Sequence, residues 1–433
     1  MAVTWVTLCR SETTFVEYGE KNLTTIEKGY QTEFVDGGKE KRPIFIHRAI
    51  LKSLKTGHTY NYRCGNDDIW SKMYSFKTIE SGEDWSPRFA LYGDLGTMAE
   101  GGKSIPTLID HVKANKYDIV FHIGDIAYDL DSSNGRVGDQ FMREIEPIAA
   151  NVPYMVCVGN HEYRYNFSHY NNRFTMINED DGAINNFFYS FNIGPAHIIS
   201  FSTEFHYFTQ YGVTQIAKQY QWLEKDLKKA NKPENRDKTP WIITFGHKPL
   251  ICSNDNDDDC TKRNNRLRKG MPNTQLFGFE DLFYQYGVDI SFWGHQHSYE
   301  RLWPFYDFKI YNGSFEEPYK NPMAPVHIIT GYAGCHSICT FNNSKPEWSA
   351  FRLSDYGFTQ MNILNKTHIH IEQYSVTRNK TFDELMIVKE FHGPYEEMKI
   401  KNEKIFKIEN SVPALKTNFV FLQIYAVFVI FKF

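Results

Sequence analysis

The chain has 433 residues, 41% hydrophobic and 16% aromatic, with a net charge of −4. That length exceeds one ordinary core and predicts two domains, or a large domain with a small one. The composition excludes a wholly disordered chain, and nothing basic enough to bind nucleic acid stands out.

The seven cysteines, Cys9, Cys64, Cys157, Cys252, Cys260, Cys335 and Cys339, form no CxxC pair. Neither a zinc ribbon nor a dithiol redox motif is therefore indicated. Two close pairs, Cys252/Cys260 and Cys335/Cys339, are each spaced to close a loop. Of these, Cys252–Cys260 is expected to be bonded and to hold the segment after His247. Glycosylation sequons begin at Asn22, Asn166, Asn312, Asn342, Asn365 and Asn379. Together with loop-closing cysteines they point to the secretory pathway. The opening Ala2-Val3-Thr4-Trp5-Val6-Thr7 alternates like a strand and lacks the pattern of a signal peptide.

Residues 1–80 read as short strands separated by turns, beginning at Val3, Trp5 and Val6 and closing at Trp70 to Thr78. Little helical periodicity is present, so a β-sandwich is expected. Glu80 to Asp84 is a polar linker. From Arg88 strands and helices alternate: a strand at Phe89 to Tyr92, a helix near Lys103 to Asn115, a strand at Ile119 to Ile123, a helix near Gly138 to Ala150 and a strand at Tyr154 to Val158. Later come a strand at Trp241 to Phe245, a helix at Phe277 to Tyr286 and a strand at Asp289 to Trp293. Phe187 to Phe191, Ile198 to Phe201 and Val326 to Thr330 add strands without intervening helices. The pattern predicts an α/β body with a mixed sheet or two stacked sheets. The apolar run Asn418 to Phe433 is shorter than the roughly 20 residues a membrane-spanning helix needs.

Five strands end alike, with an apolar run, a glycine and then a metal-binding side chain. They read LYGDLG (Asp94), FHIGDIAYD (Asp125, Tyr128), VCVGNHE (Asn160, His161), ITFGHKP (His247) and SFWGHQH (His295, His297). Ligands of open α/β sheets gather beyond the carboxyl ends of strands. A lone Gly-Asp or Gly-His is ordinarily a turn, and His295 and His297 on a continuing strand would face opposite ways. Five such ends in succession outweigh that reading. Converged, they supply carboxylates, an amide, imidazoles and a phenol, a donor set for two metal ions that one carboxylate can bridge.

These blocks, with the ending SYER, resemble the five signature blocks of the purple acid phosphatases, within the calcineurin-like metallophosphoesterases. Flanking segments such as VGDQFMREIEP and HIISFSTE are similar to the family's long animal form. The resemblance implies a four-layer α/β (α+β) sandwich, two mixed sheets flanked by helices, over residues 86–393. Before it would stand a fibronectin-III-like β-sandwich at 1–80, and after it an extension at 394–433.

It further implies that Asp94, Tyr128, His297 and a bridging Asp125 hold Fe(III), and that Asn160, His247 and His295, again with Asp125, hold a divalent Zn, Fe or Mn. His161 would face the substrate phosphate beside Asn160, and catalysis would rest on His161, Asp125 and His247. The implied reaction is hydrolysis of small phosphate monoesters by a metal-bound hydroxide, in a secreted protein. Other members of the superfamily hydrolyse diesters, pyrophosphates or phosphoproteins, and a non-catalytic binding protein could keep the fold; full ligand positions argue against the latter.

Three features depart from the family pattern. The stretch Ile251 to Cys260 carries no histidine, which leaves the general acid open. A leader and a further strand are expected before Met1. The apolar tail extends past the usual end near Val388 to Gly393, as a lipid-anchor signal or a loosely packed segment; only the former would bring a membrane partner. The charge run Asp255 to Lys269 is expected to face water.

Overall fold

The computed structural model describes residues 1–178 and 182–400; the apolar tail lies outside them. Alternation builds the first seven strands. Along Thr59–Gly65, for example, Tyr60, Tyr62 and Cys64 are buried and the residues between them are not. The strands Ala2–Thr7, Pro43–Ile50 and Tyr30–Val35 form one antiparallel sheet. Thr25–Lys28, Phe15–Gly19, Thr59–Gly65 and Tyr74–Lys77 form the other. Val3, Val16, Tyr18, Tyr60 and Phe76 fill the space between them, giving the expected sandwich.

Beyond it, unbroken apolar runs replace alternation, as strands buried on both faces require. Tyr154–Cys157, Ile119–Ile123 and Arg88–Tyr92 lie parallel, and Gly357–Ile363, His368–Ser375 and Lys380–Val388 continue that sheet antiparallel. A second, seven-stranded sheet has Ala196–Ser200, Trp241–Gly246, Ile290–Trp293 and Val326–Thr330 in parallel at its centre. The two sheets meet across Phe89, Phe121, Ile243, Phe245 and Phe292, with the Phe121 and Phe245 rings stacked 4.4 Å apart. Leu108, Phe141 and Ile145 dock helices on one outer face. Leu223, Leu227, Leu282 and Phe283 dock helices on the other. The order is helix, sheet, sheet, helix, the four layers expected.

Several elements differ from the sequence reading. The 17-residue helix Thr214–Ala230 and the antiparallel strands after residue 348 were not anticipated. The helix expected at Phe277 to Tyr286 shortens to Glu280–Gln285, because Phe277 takes a left-handed φ of 69° that stops it extending backwards. Cys252–Cys260 is bonded, whereas Cys335 and Cys339 are free thiols. Each free thiol serves the turn instead: the His297 amide donates to Cys339 Sγ, and Cys335 Sγ donates to the Ser337 carbonyl. The charge run also departs from expectation. Lys262 and Arg263 are exposed, but Arg268 is buried against Glu280 and Asp258 turns inward. All six sequon asparagines are exposed. No helix among the described residues is long and apolar enough to cross a membrane.

Candidate metal centre

The five strand ends converge. Four of the residues concerned, Asp94, Asp125, Tyr128 and His295, have φ between 49° and 68°. That left-handed region costs a non-glycine residue about 1–2 kcal/mol and persists where the surroundings enforce it. It also resolves the HxH ambiguity: the turn at His295 breaks strand alternation, so both imidazoles reach the centre. Gly124 and Gly159 allow the close approach. A Cβ on Gly124 would lie 2.5 Å from His247 Nδ1, and one on Gly159 would lie 2.3 Å from Asp125 Oδ1.

The side chains fall into two groups. In the first, the Tyr128 hydroxyl lies 2.9 Å from Asp94 Oδ1 and 3.1 Å from His297 Nε2, and His297 Nε2 is 3.3 Å from Asp94 Oδ1. His297 Nδ1 faces the Ser337 carbonyl at 2.9 Å and the Ser337 hydroxyl at 2.7 Å; with Nδ1 donating to that carbonyl, Nε2 keeps a free lone pair. In the second, His247 Nδ1 donates to the Ile123 carbonyl at 2.9 Å. Its Nε2 lone pair then faces Asp125 Oδ2 and Asn160 Oδ1, each at 3.2 Å. Asp125, His247 and His295 offer ligand atoms all within 4.8 Å of one another.

This donor set fits metal cations. In the second group the Asp125 carboxylate, the Asn160 amide oxygen and the His247 Nε2 converge, and a positive charge among them, a metal ion or a proton on His247, relieves the arrangement. Separations of 2.9–3.3 Å are those of neighbouring ligands on a cation with bonds of roughly 2.1 Å. The field has the matching sign. Burial would lower the His247 imidazole, but Asp125, with Asp94 and Glu204, lifts it to about 10. Burial, then Asp94 and Asp125, holds the Tyr128 phenol well above its usual range, so a phenolate there requires a strongly Lewis-acidic partner.

His161 flanks both groups. Its amide donates to Asp125 Oδ1 at 2.9 Å and its ring lies 4.5 Å from that of Tyr128. Nδ1 is 2.5 Å from Asp129 Oδ1, and the side chain stays 39% exposed on the open side. Burial opposes its charge, yet Asp129 and Asp125 raise it to about 9.

Four neighbours escaped the sequence reading. Asp129 orients His161 and is the last letter of GDIAYD. Glu162, fully buried, takes hydrogen bonds from the amides of Asp125, Ile126 and Gly159, tying two ligand turns together; it closes the GNHE block. Lys248, next to His247, lays its ammonium 2.7 Å from His295 Nε2. Asp258 reaches that same nitrogen at 2.9 Å, and no local sequence pattern marks it among its acidic neighbours.

Comparison with known proteins agrees with this geometry. The family model described as calcineurin-like phosphoesterase matches residues 87–299. The purple acid phosphatase N-terminal domain matches residues 1–78, and an iron/zinc purple acid phosphatase-like C-terminal model matches residues 324–384. Acid phosphatase type 7 of Mus musculus is 50% identical over 397 residues, covering 91% of this chain and 89% of its own length. The chain belongs to the purple acid phosphatases. Acid phosphatase type 7 of Homo sapiens is 49% identical over the same shares of each chain. A solved purple acid phosphatase from yellow lupin seeds superposes with a TM-score of 0.73 at 25% identity, covering 90% of this chain and 72% of that one. Membership makes the protein an acid phosphatase of the metallophosphoesterase fold, with a binuclear metal centre.

Proposed function

We propose that this enzyme hydrolyses small phosphate monoesters at a centre in which Asp94, Tyr128 and His297 hold Fe(III), Asn160, His247 and His295 hold a divalent Zn, Fe or Mn, and Asp125 bridges the two. The observation that carries this reading is the pair of converging donor groups on either side of one buried carboxylate. When bound, the two ions supply the Lewis acidity that makes water nucleophilic at acid pH and neutralises phosphate charge.

The chain's own residues do the rest. Asp129 fixes the His161 ring, so that a cationic imidazole faces the open side, where it hydrogen-bonds the equatorial phosphate oxygens as charge develops on them. Asn160 holds its amide oxygen in the divalent group and helps orient the ester. Glu162 keeps the turns bearing Asp125 and Asn160 in register. The two-ion reading needs no covalent phosphoenzyme. We place the sandwich at 1–80, the catalytic body at 86–393 and an extension beyond, and we place the protein in the secretory pathway, where the six exposed sequons would be modified. A panel of monoester, diester, pyrophosphate and phosphoprotein substrates tests the reading: monoesters should give the highest kcat/KM, and a diester preferred over every monoester would overturn it.

A further inference from the structure

The segment closed by Cys252–Cys260 holds an unusual arrangement. Asp258 Oδ2 lies 2.9 Å from His295 Nε2, and the Asp258 side chain is only 24% exposed. The Lys248 ammonium is 2.7 Å from the same nitrogen and 3.2 Å from Nδ1 of the same ring. The two ring lone pairs diverge, so a group near both nitrogens lies along neither. The ammonium therefore rests against the ring, and the in-plane partner of Nε2 is the Asp258 carboxylate. Nε2 then carries the proton and donates it, which leaves Nδ1 as the nitrogen whose lone pair a cation in the Asp125–His247–His295 group would take.

Asp258 is itself fixed. Its Oδ1 accepts from the Cys260 amide at 3.2 Å, and Cys260 is bonded to Cys252. The same loop grips the histidine turn from both sides: Asn256 Nδ2 donates to Gln296 Oε1 at 2.8 Å and Asn254 Nδ2 donates to Ser298 Oγ at 3.1 Å.

We propose that Asp258 is the positioning residue of His295, presented by the Cys252–Cys260 loop, and that this contact sets how tightly the divalent half of the centre holds its metal. The inference rests on His295 being a metal ligand, as proposed above. A carboxylate on the far nitrogen of a ligating histidine fixes its tautomer and orientation and raises its basicity; losing it typically costs 10–100-fold in metal affinity. Here the loss would also leave the Lys248 ammonium next to the ligand with one carboxylate fewer to oppose it.

The test uses the metal-loaded full chain and a chelator challenge, with metal content read by mass spectrometry alongside the visible spectrum. Asp258→Ser keeps an oxygen that can cap the Cys260 amide but cannot reach His295. It should release the divalent metal about 10–100-fold faster than wild type, while iron and the visible band stay. Asp258→Glu should recover part of the retention, and Cys252→Ser with Cys260→Ser should shift release in the same direction as Asp258→Ser. Wild-type release from Asp258→Ser would overturn the proposal, and so would loss of both metals together, which marks a merely structural role. A wild-type protein that never holds two metals would instead overturn the reading on which it rests.

Discussion

In the Asp94–Tyr128–His297 group the ligands face one another, and the partners His297 takes from the Cys335–Cys339 segment, Ser337 and Cys339, are neutral. The His247–Asn160–His295 group differs: it has charged neighbours, Lys248 beside His247 itself and Asp258 from a separate, disulfide-closed loop. Both groups grow from the same local rule, an apolar strand followed by glycine and a donor. On the proposed assignment, the strand ends define where the metals sit, while Asp258, off the strands, sets how firmly the second is held. A phenolate and a carboxylate in the first group match a high-valent ion; an amide and two imidazoles in the second match a divalent, exchangeable one.

The shared carboxylate is where this contrast can be erased. Asp125→Asn should strip both metals and reduce activity to background, read by metal analysis and initial rates; an Asn variant that kept one metal at full occupancy would show that Asp125 does not bridge. His161→Ala should separate chemistry from metal holding, with both metals retained and kcat falling roughly 10²–10³-fold, the usual loss for one donor to a developing oxyanion. Loss of a metal in that variant would make His161 a ligand.

Breaking the loop acts on the second group alone. Removing Cys252–Cys260 should cost on the order of 2–3 kcal/mol in unfolding free energy by loop-closure entropy, measurable by denaturant titration. Peptide mapping that found both thiols free in the purified protein would remove the premise.

The smallest effect lies away from the metals. His169 sits between the sandwich and the catalytic body, 2.7 Å from Asp36. Burial, helped by Arg173 and opposed by Asp36, lowers it to about 4. The unfolded chain takes up this proton near its ordinary value of about 6.5, the folded chain only near 4, so this site withdraws stability as pH falls through that window. Melting temperature should decline from pH 6.5 to 4, and His169→Gln should flatten the decline; an unchanged slope would assign it to other groups.

Much of this was legible in the sequence. Apolar runs located the strands Ile119–Ile123 and Val326–Thr330 at their observed bounds, and the residues after the five glycine-ended runs supplied all seven side chains of the two groups. The helix Thr214–Ala230 was also within reach, since Ile216, Leu223 and Leu227 repeat at helical spacing; polar residues between them masked it. Other features were not local. Asp258 matters because a disulfide and a sheet bring it to His295 from 37 positions away, and nothing within its acidic run separates it from Asp257 or Asp259. Cys335 and Cys339 were spaced like a bonded pair, yet the ligand turn claims their sulfurs. The charge run looked uniformly solvated because charge alone cannot reveal that Arg268 finds Glu280 in the interior.

The central claim is that Tyr128 belongs to the iron-binding group, and the visible absorption spectrum of the oxidised, iron-loaded enzyme tests it most directly. We expect a phenolate-to-Fe(III) charge-transfer band in the wild type. Tyr128→Phe should lose that band while keeping the fold and the Asp125-dependent divalent metal. A wild-type enzyme that carries oxidised iron and is colourless, or a Phe variant that keeps the band, would contradict it.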